Sequence, residues 1–472
     1  MASTSNSPIT PDLIEELKAL FPDRDQVVTP DSPGYGKALQ RWSDLASKPA
    51  GAIVYASTVK DVQHAILFSS KHNLNLAIKA GGHTPDGANS CTDGLVLDLT
   101  RLNSVRLDQA AKTLTAGGGA LWRDVHAATA GTPFAVVSSS VGTTGVGGVT
   151  LQGGFGYLIG MYGLVIDNLL SVQIVTADGT LHTASKTENA DLFWAVRGAG
   201  TNFGVVTEFV FRAHEQRKDI VAGSLVFTAD KLEVILETLA GALRWDDGQL
   251  AAQCVCYFPE GSEEVMLNVT LFCNGSEETC RERLGGVFEL DAVSSDMHVM
   301  SYEEANGMLD SFSPPGRRKR LLGFEFKPPL RPEFVKGLLD EMQSKVDEEP
   351  DLRQTYIDIE FWDLRQVAKV PTRETAFPYR RNTQKGSISL DYEDGSKDEE
   401  YLEWAMMLQR KFQEEFRHAG FEPNRFVSNF IYYLQPTDAE KMFGENAERL
   451  VELKRKYDPQ GIFNKLNPIR TG

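Results

Sequence analysis

Seven glycines fall among the seventeen residues Val141-Gly142-Thr143-Thr144-Gly145-Val146-Gly147-Gly148-Val149-Thr150-Leu151-Gln152-Gly153-Gly154-Phe155-Gly156-Tyr157. Glycine loses the most backbone freedom on ordering, so a run this dense predicts neither a regular helix nor a good strand. It predicts a backbone wrapped closely around something flat and large. A shorter concentration lies upstream, at Ile78-Lys79-Ala80-Gly81-Gly82-His83-Thr84-Pro85-Asp86-Gly87. Leu74, Leu76 and Ile78 alternate as in a strand that stops at the paired glycines. With no Cβ in the way, backbone amides there converge on one point, which suits an anion. His83 adds one imidazole at the same place, although a lone histidine after a strand is more often a hydrogen-bonded loop residue than a ligand.

The neighbouring segments extend this framework. Thr10 reads as the N-cap of an opening helix with Pro11 at its first position, and Thr58 as the cap of another. Buried strands are expected around 94–99 and 114–116, and a short helix from Trp122. A strand from 171 to 177 turns at Asp178-Gly179, a pair suited to the positive φ of a tight hairpin. Further on comes Asp191-Leu192-Phe193-Trp194-Ala195-Val196-Arg197-Gly198-Ala199-Gly200-Thr201-Asn202-Phe203-Gly204-Val205-Val206-Thr207. Gly198-Ala199-Gly200 does not read as a dinucleotide fingerprint, because no strand feeds it and no helix with a ribose-binding carboxylate follows.

In this order and spacing the three glycine segments resemble the flavin-binding loops of the berberine-bridge-enzyme-like oxidases, in the vanillyl-alcohol-oxidase superfamily. Gly81, Gly82, His83 and Gly87 match the first loop, with Lys79 and Thr84 in place of an arginine and a serine. The resemblance implies FAD, held by Lys79, Ala80, Gly81, Gly82, His83, Thr84 and Gly87 in that loop. It implies Val141, Gly142, Thr144, Gly145, Gly147 and Gly148 in the second loop, followed by Gly153, Gly154, Gly156 and Tyr157. Gly204, Val205 and Val206 would lie at the adenine end. In the family a histidine at the position of His83 is bonded to the flavin 8α carbon. Many members add a cysteine bond, but that position here is Val141, so one covalent attachment, through His83, is expected. Single attachment further suggests a fairly apolar, non-carbohydrate substrate.

With 472 residues the chain exceeds what one core usually organises. A net charge of −17 argues against nucleic acid or an anionic membrane as partner. No stretch is apolar for long enough to span a bilayer, and the first residues lack the pattern of a secretory signal, so a cytoplasmic protein is expected. Cys91, Cys254, Cys256, Cys273 and Cys280 are too few and too oddly spaced for a disulfide framework or a zinc site, and no metal is expected. The sequons at Asn268 and Asn274 are matches by pattern only.

After about Arg212 the texture changes to strands (220–227, 251–257, 265–272, 321–326, 356–362, 387–391, 426–434) and helices (232–242, 332–346, 399–416), which suggests an antiparallel sheet covered on one face. Ser313-Pro314-Pro315-Gly316-Arg317-Arg318-Lys319-Arg320 reads as a loop and a solvated basic patch. The tail, with Asp458-Pro459-Gln460-Gly461-Ile462-Phe463, resembles the family's closing segment. The expectation is therefore an α+β, two-domain FAD-binding fold of the vanillyl-alcohol-oxidase type. It divides into an FAD-binding domain (1–213), an antiparallel-sheet substrate domain (214–434), and a segment returning to the first domain (435–472).

The resemblance implies an oxidase that takes a hydride from a small organic substrate, such as an amine, alcohol or secondary metabolite, onto flavin N5, with O2 as the final acceptor. A dehydrogenase with another acceptor and a cyclase on the same scaffold stay open, as does the oligomeric state. The family places the proton-removing group on a strand matching Phe426-Val427-Ser428-Asn429-Phe430-Ile431-Tyr432-Tyr433. Phe430 replaces a tyrosine that is often the base, so Tyr432 or Tyr433, with Asn429 nearby, is expected to do that work. Glu360, a carboxylate in an apolar strand, is a further candidate with a shifted pKa. Tyr379, where relatives carry a histidine before an arginine, is a candidate polar contact.

Overall fold

The computed structural model describes residues 7–245, 247–423 and 439–471. The chain opens with the helix Pro11–Ala19, where the Thr10 hydroxyl accepts from the Leu13 N–H. The helix Val59–Lys71 starts with a reciprocal capping box between Thr58 and Asp61. It carries the chain back along a four-stranded sheet of β1 (Val27–Val28), β2 (Ala52–Tyr55), β3 (Leu76–Lys79) and β4 (Leu95–Asp98), in the order β1-β2-β4-β3. β2 and β3 both run parallel to β4, and parallel neighbours need such a crossover. β3 ends directly at Ala80-Gly81-Gly82.

A five-stranded antiparallel sheet follows, built from β5 (Val105–Asp108), β6 (Thr113–Gly117), β8 (Leu169–Val175), β9 (Leu181–Ser185) and β10 (Val205–Arg212). Its order is β5-β6-β10-β8-β9. Asp178-Gly179 closes the β8–β9 hairpin, with Gly179 at φ 78°. The short β7 (Phe134–Ala135) pairs with β11 (His214–Glu215). The glycine-rich run before β8 departs from expectation in one respect, since Val146–Thr150 forms a five-residue helix that includes Gly147 and Gly148. The helix Ala190–Ala199 kinks at Gly198, φ 128°, and leads toward β10. Helix before strand is the reverse of the dinucleotide-fingerprint order.

The third sheet has eight antiparallel strands: β12 (Ile220–Thr228), β13 (Leu250–Tyr257), β14 (Met266–Cys273), β15 (Ser294–Ser295), β16 (His298–Met300), β17 (Arg318–Phe326), β18 (Tyr356–Trp362) and β19 (Gln384–Tyr392). They run in the order β15-β12-β14-β13-β18-β19-β17, with β16 also on β12. The expected strand at 426–434 falls wholly within 424–438, outside the described residues. Helices Leu232–Ala242, Glu277–Phe288, Pro332–Glu348 and Asp398–His418 share one apolar core with the sheet. Side chains alternate across a strand, so β18 sends Ile357, Ile359 and Phe361 into that core and Tyr356, Asp358, Glu360 and Trp362 to the other side. Cys254 and Cys256 face the helices, and all five cysteines are free and buried.

The expected basic patch is half-buried and held in ion pairs. Arg317 pairs with Asp391 at 2.5 Å and Glu393 at 2.5 Å, Arg318 pairs with Asp398, and Lys319 is 3% exposed. This segment ties the large sheet to the first part of the chain: the Lys319 N–H donates to the Ser43 hydroxyl, which donates to the Lys319 carbonyl, both at 2.9 Å. The C-terminal helix Ala447–Tyr457 also returns there. Buried Lys454 donates to the carbonyls of Asn202 (2.8 Å) and Phe463 (2.7 Å) and pairs with Asp458, which accepts the N–H groups of Ile462 and Phe463.

Candidate active site

A cavity of about 940 Å³ lies between the glycine segments and the inner face of the large sheet. Ala80, Gly81, Gly82, His83 and Thr84 line it from the first loop, Val141, Thr144, Gly145, Gly147 and Gly148 from the second, and Gly204, Val205 and Val206 from the start of β10. The two loops press together through backbone. A Cβ on Gly81 would lie 2.4 Å from the Gly145 nitrogen, and one on Gly145 would lie 2.5 Å from the Gly81 nitrogen. Gly148 differs, because a Cβ there meets nothing within 4 Å. Its bare side faces open cavity.

Several expected cofactor contacts lie elsewhere, each for a physical reason. The Lys79 ammonium is taken by Asp98, 2.9 Å away across the β3–β4 pair. Gly87 accommodates the Lys48 side chain, and the Gly142 N–H is spent on Asp310 Oδ1 at 2.6 Å. Gly153, Gly154 and Gly156 make room for the Phe377 ring, Val165 and the Ser138 carbonyl. Tyr157 is buried and stacks on Phe272 at 4.5 Å, joining the loop to the large sheet. None of these residues lines the cavity.

His83 stands half-buried on the cavity wall, stacked on Trp42 with centroids 5.7 Å apart. Burial first, and then the charge of Lys319, lowers its pKa to about 4, against an opposing hydrogen bond to the Thr143 backbone. At neutral pH the ring is therefore uncharged, with a lone pair on one nitrogen. Trp42 had no sequence motif to announce it. Its Nε1 and the Asn89 Nδ2, both buried at the cavity, have no partner among the described residues.

The floor is polar, with Gln253, Asn268, Asp358, Glu360, Ser387 and Ser389 facing inward. Glu360, expected as a candidate, is 2% exposed and held on three sides: Trp362 Nε1 donates at 2.9 Å, Lys385 pairs at 3.4 Å, and Gln253 Nε2 lies 3.5 Å away. Asp358, which sequence reasoning passed over, has an Oδ1 with no partner among the described residues. Burial, and then Glu360, push its carboxyl well above the usual carboxylate range. The i, i+2 spacing with Glu360 was the available signal. Tyr379 is withdrawn from the site: its hydroxyl, fully buried, is shared among Glu325 Oε1 (3.0 Å), the Thr383 hydroxyl (2.8 Å) and the Thr383 carbonyl. It does not line the cavity. Asn429, Tyr432 and Tyr433 lie outside the described residues.

These features fit FAD. The open side of Gly148 leaves room against the second loop, and the unpartnered donors of Trp42 and Asn89 suit a ligand rich in acceptor oxygens. The C-terminal return adds Phe463, Asn464, Lys465 and Leu466 to the wall.

Comparison with known proteins agrees. Residues 50–185 match the family described as FAD binding domain, and residues 434–470 the family described as Berberine and berberine like. The chain is 31% identical over 459 residues to FAD-linked oxidoreductase pgmH of Aspergillus terreus, covering 92% of this chain and 91% of the relative. It is 26% identical to FAD-linked oxidoreductase srdI of Neurospora crassa, covering 97% and 92%. Among solved structures, a berberine bridge enzyme variant in complex with (S)-reticuline superposes with a TM-score of 0.82 at 20% identity, covering 98% and 99%. 6-Hydroxy-D-nicotine oxidase from Arthrobacter nicotinovorans superposes with 0.80 at 24% identity, covering 94% and 98%. These two similarities bear on the fold, which is the two-domain FAD-binding fold of the vanillyl-alcohol-oxidase type. The cavity, its glycine walls and these matches together make the chain a member of the berberine-bridge-enzyme-like FAD-linked oxidoreductases.

Proposed function

We propose that the protein is an oxidase that carries FAD on His83 and oxidises a small organic substrate at the expense of O2. The observation that carries this reading is the uncharged imidazole of His83 on the cavity wall, beside both glycine loops. A protonated ring has no lone pair with which to bond carbon, so a low pKa suits this attachment. Residues 1–213 and 435–472 would form the cofactor domain, and 214–434 the substrate domain. Bound FAD supplies a two-electron acceptor at N5. The chain's own part is to hold the cofactor along Gly81, Gly145 and Gly148, to orient the substrate on the polar floor, and to exclude water. Val255, Leu309 and Phe312 give the cavity apolar sides. A substrate with polar groups on one edge and an apolar body suits that division.

The test is acid precipitation of the purified protein. A yellow pellet from the wild type and a colourless pellet from His83→Ala are expected, together with peroxide release during turnover in air. Colour in the wild-type supernatant would remove the covalent bond, and turnover without peroxide would make the enzyme a dehydrogenase.

A further inference from the structure

We propose that Asp358 is the group that takes the substrate's proton, and that Glu360 and Lys385 form the ion pair that positions it. This rests on the flavin-oxidase reading. Three neighbouring strands build the cluster: on β18, Asp358 stands opposite Val255 of β13 and Ser387 of β19, and Glu360 stands opposite Gln253 and Lys385. Asp358 and Glu360 therefore share one face, two residues apart, with Lys385 beside them. Lys385 is fully buried, and its ammonium lies 3.3 Å from the centroid of the cavity-lining Phe155 ring.

Two buried carboxyls and one buried ammonium leave one acid group without a counter-charge among the described residues. Such a group takes up a proton instead of carrying an isolated charge. The donors decide which carboxyl it is. Trp362 Nε1, Lys385 and Gln253 converge on Glu360, whereas Asp358 Oδ1 has no described partner. Among the described residues, the other titratable groups that act on Asp358 are Tyr356, Tyr157, Cys254 and Cys256, none of them cationic. Burial and the neighbouring Glu360 raise the Asp358 pKa, and Lys385 opposes them.

The proton of the substrate O–H or N–H goes to an Asp358 oxygen. Bound FAD would supply the acceptor for the hydrogen and both electrons of the adjoining C–H bond, and O2 would finally take the two electrons with two protons and leave as hydrogen peroxide. Since the ionised carboxylate is the acceptor, the rate should rise with pH through the raised Asp358 pKa.

Two measurements test this. The first is a difference infrared spectrum of the purified protein at neutral pH, which needs no substrate. The carbonyl stretch of a protonated, poorly hydrogen-bonded carboxylic acid is expected in the wild type and is expected to vanish in Asp358→Asn. Its absence from the wild type, or its persistence in Asp358→Asn, would overturn the assignment, whether or not the protein proves to be an oxidase.

The second is anaerobic flavin reduction across pH, for variants whose flavin content matches the wild type. Asp358→Asn should lose the alkaline-rising limb and slow reduction by about 100-fold or more. Asp358→Glu should keep the limb, and Glu360→Gln should move it to lower pH by removing the adjacent negative charge. An unchanged limb in Asp358→Asn would sink the proposal. A wild type that binds no flavin would instead refute the functional reading, leaving the infrared result to stand alone.

Discussion

Arg380 grips Asp167 through two parallel N–H···O bonds of 2.8 Å, with the arginine side chain 2% exposed and the aspartate 11%. The pair fastens the segment before β19 to the short turn that precedes β8. Nearby, the Ala376 and Phe377 N–H groups donate to the carbonyls of Trp194 and Arg197, and Trp194 Nε1 donates to the Arg373 carbonyl. Removing one member of a buried pair strands the other, so Arg380→Ala should cost about 3 kcal/mol in denaturant unfolding. Arg380→Lys should recover only part of that, because an ammonium cannot reproduce the two-pronged contact. Full recovery by lysine would mean that charge alone, and not the fork, holds the joint.

Gly81 and Gly148 should respond oppositely to the same substitution. Gly81→Ala forces a methyl against the Gly145 backbone, so the apoprotein itself should melt lower. Gly148→Ala meets nothing in the protein and sits in the helix Val146–Thr150, where alanine gains up to about 1 kcal/mol. Its melting temperature without flavin should hold or rise while flavin content falls. A Gly148→Ala protein with full flavin content would show that the cofactor does not lie against that face.

Lys79 is expected to act on stability more than on the cofactor. Asp98 is 1% exposed and also accepts from the Thr100 N–H and hydroxyl. Lys79→Met should therefore lose about 3 kcal/mol in equilibrium unfolding by leaving a buried carboxylate short of its counter-ion. A loss of flavin affinity without loss of stability would return Lys79 to the cofactor site.

Acid should destabilise the fold through buried histidines. Burial lowers His126 to about 3 and His214 to about 4, both below the ordinary value of 6.5. As pH falls below about 6.5 the unfolded chain binds protons that the folded chain refuses, so stability is complete above that value and declines toward the folded pKa values. His126 packs between Trp122 and Tyr302, and its Nε2 has no described partner. His126→Phe should flatten the fall in melting temperature between pH 7 and pH 5. A slope identical to the wild type would clear His126 of that role.

The parts of the fold that depend on local chemistry were legible in the sequence. Thr10 and Thr58 cap the helices they announce, Asp178-Gly179 turns the hairpin, and alternation marks six strands of the large sheet to within a few residues. The glycine loops could be read as a cavity wall for the same reason, since glycine density constrains the backbone directly. What stayed hidden depends on partners distant in sequence. Nothing near Lys79 says that Asp98 will take its charge, and nothing near Tyr379 says that Glu325 and Thr383 will take its hydroxyl. The run 317–320 looked solvated because its acids, Asp391, Glu393 and Asp398, lie more than 70 residues downstream. Periodicity put Asp358 and Glu360 on one face, but only the register with Gln253 and Lys385 distinguished their surroundings.

The alternation along β18 also separates two evolutionary pressures. Ile357, Ile359 and Phe361 hold the sheet to its helices, while Tyr356, Asp358, Glu360 and Trp362 meet whatever enters the cavity. Every second codon of this strand therefore answers to the chemistry of the cavity, while the codons between them preserve the fold. Selection on such a scaffold should leave a period-two imprint, with positions held for chemistry and positions held for packing interleaved along the same strand.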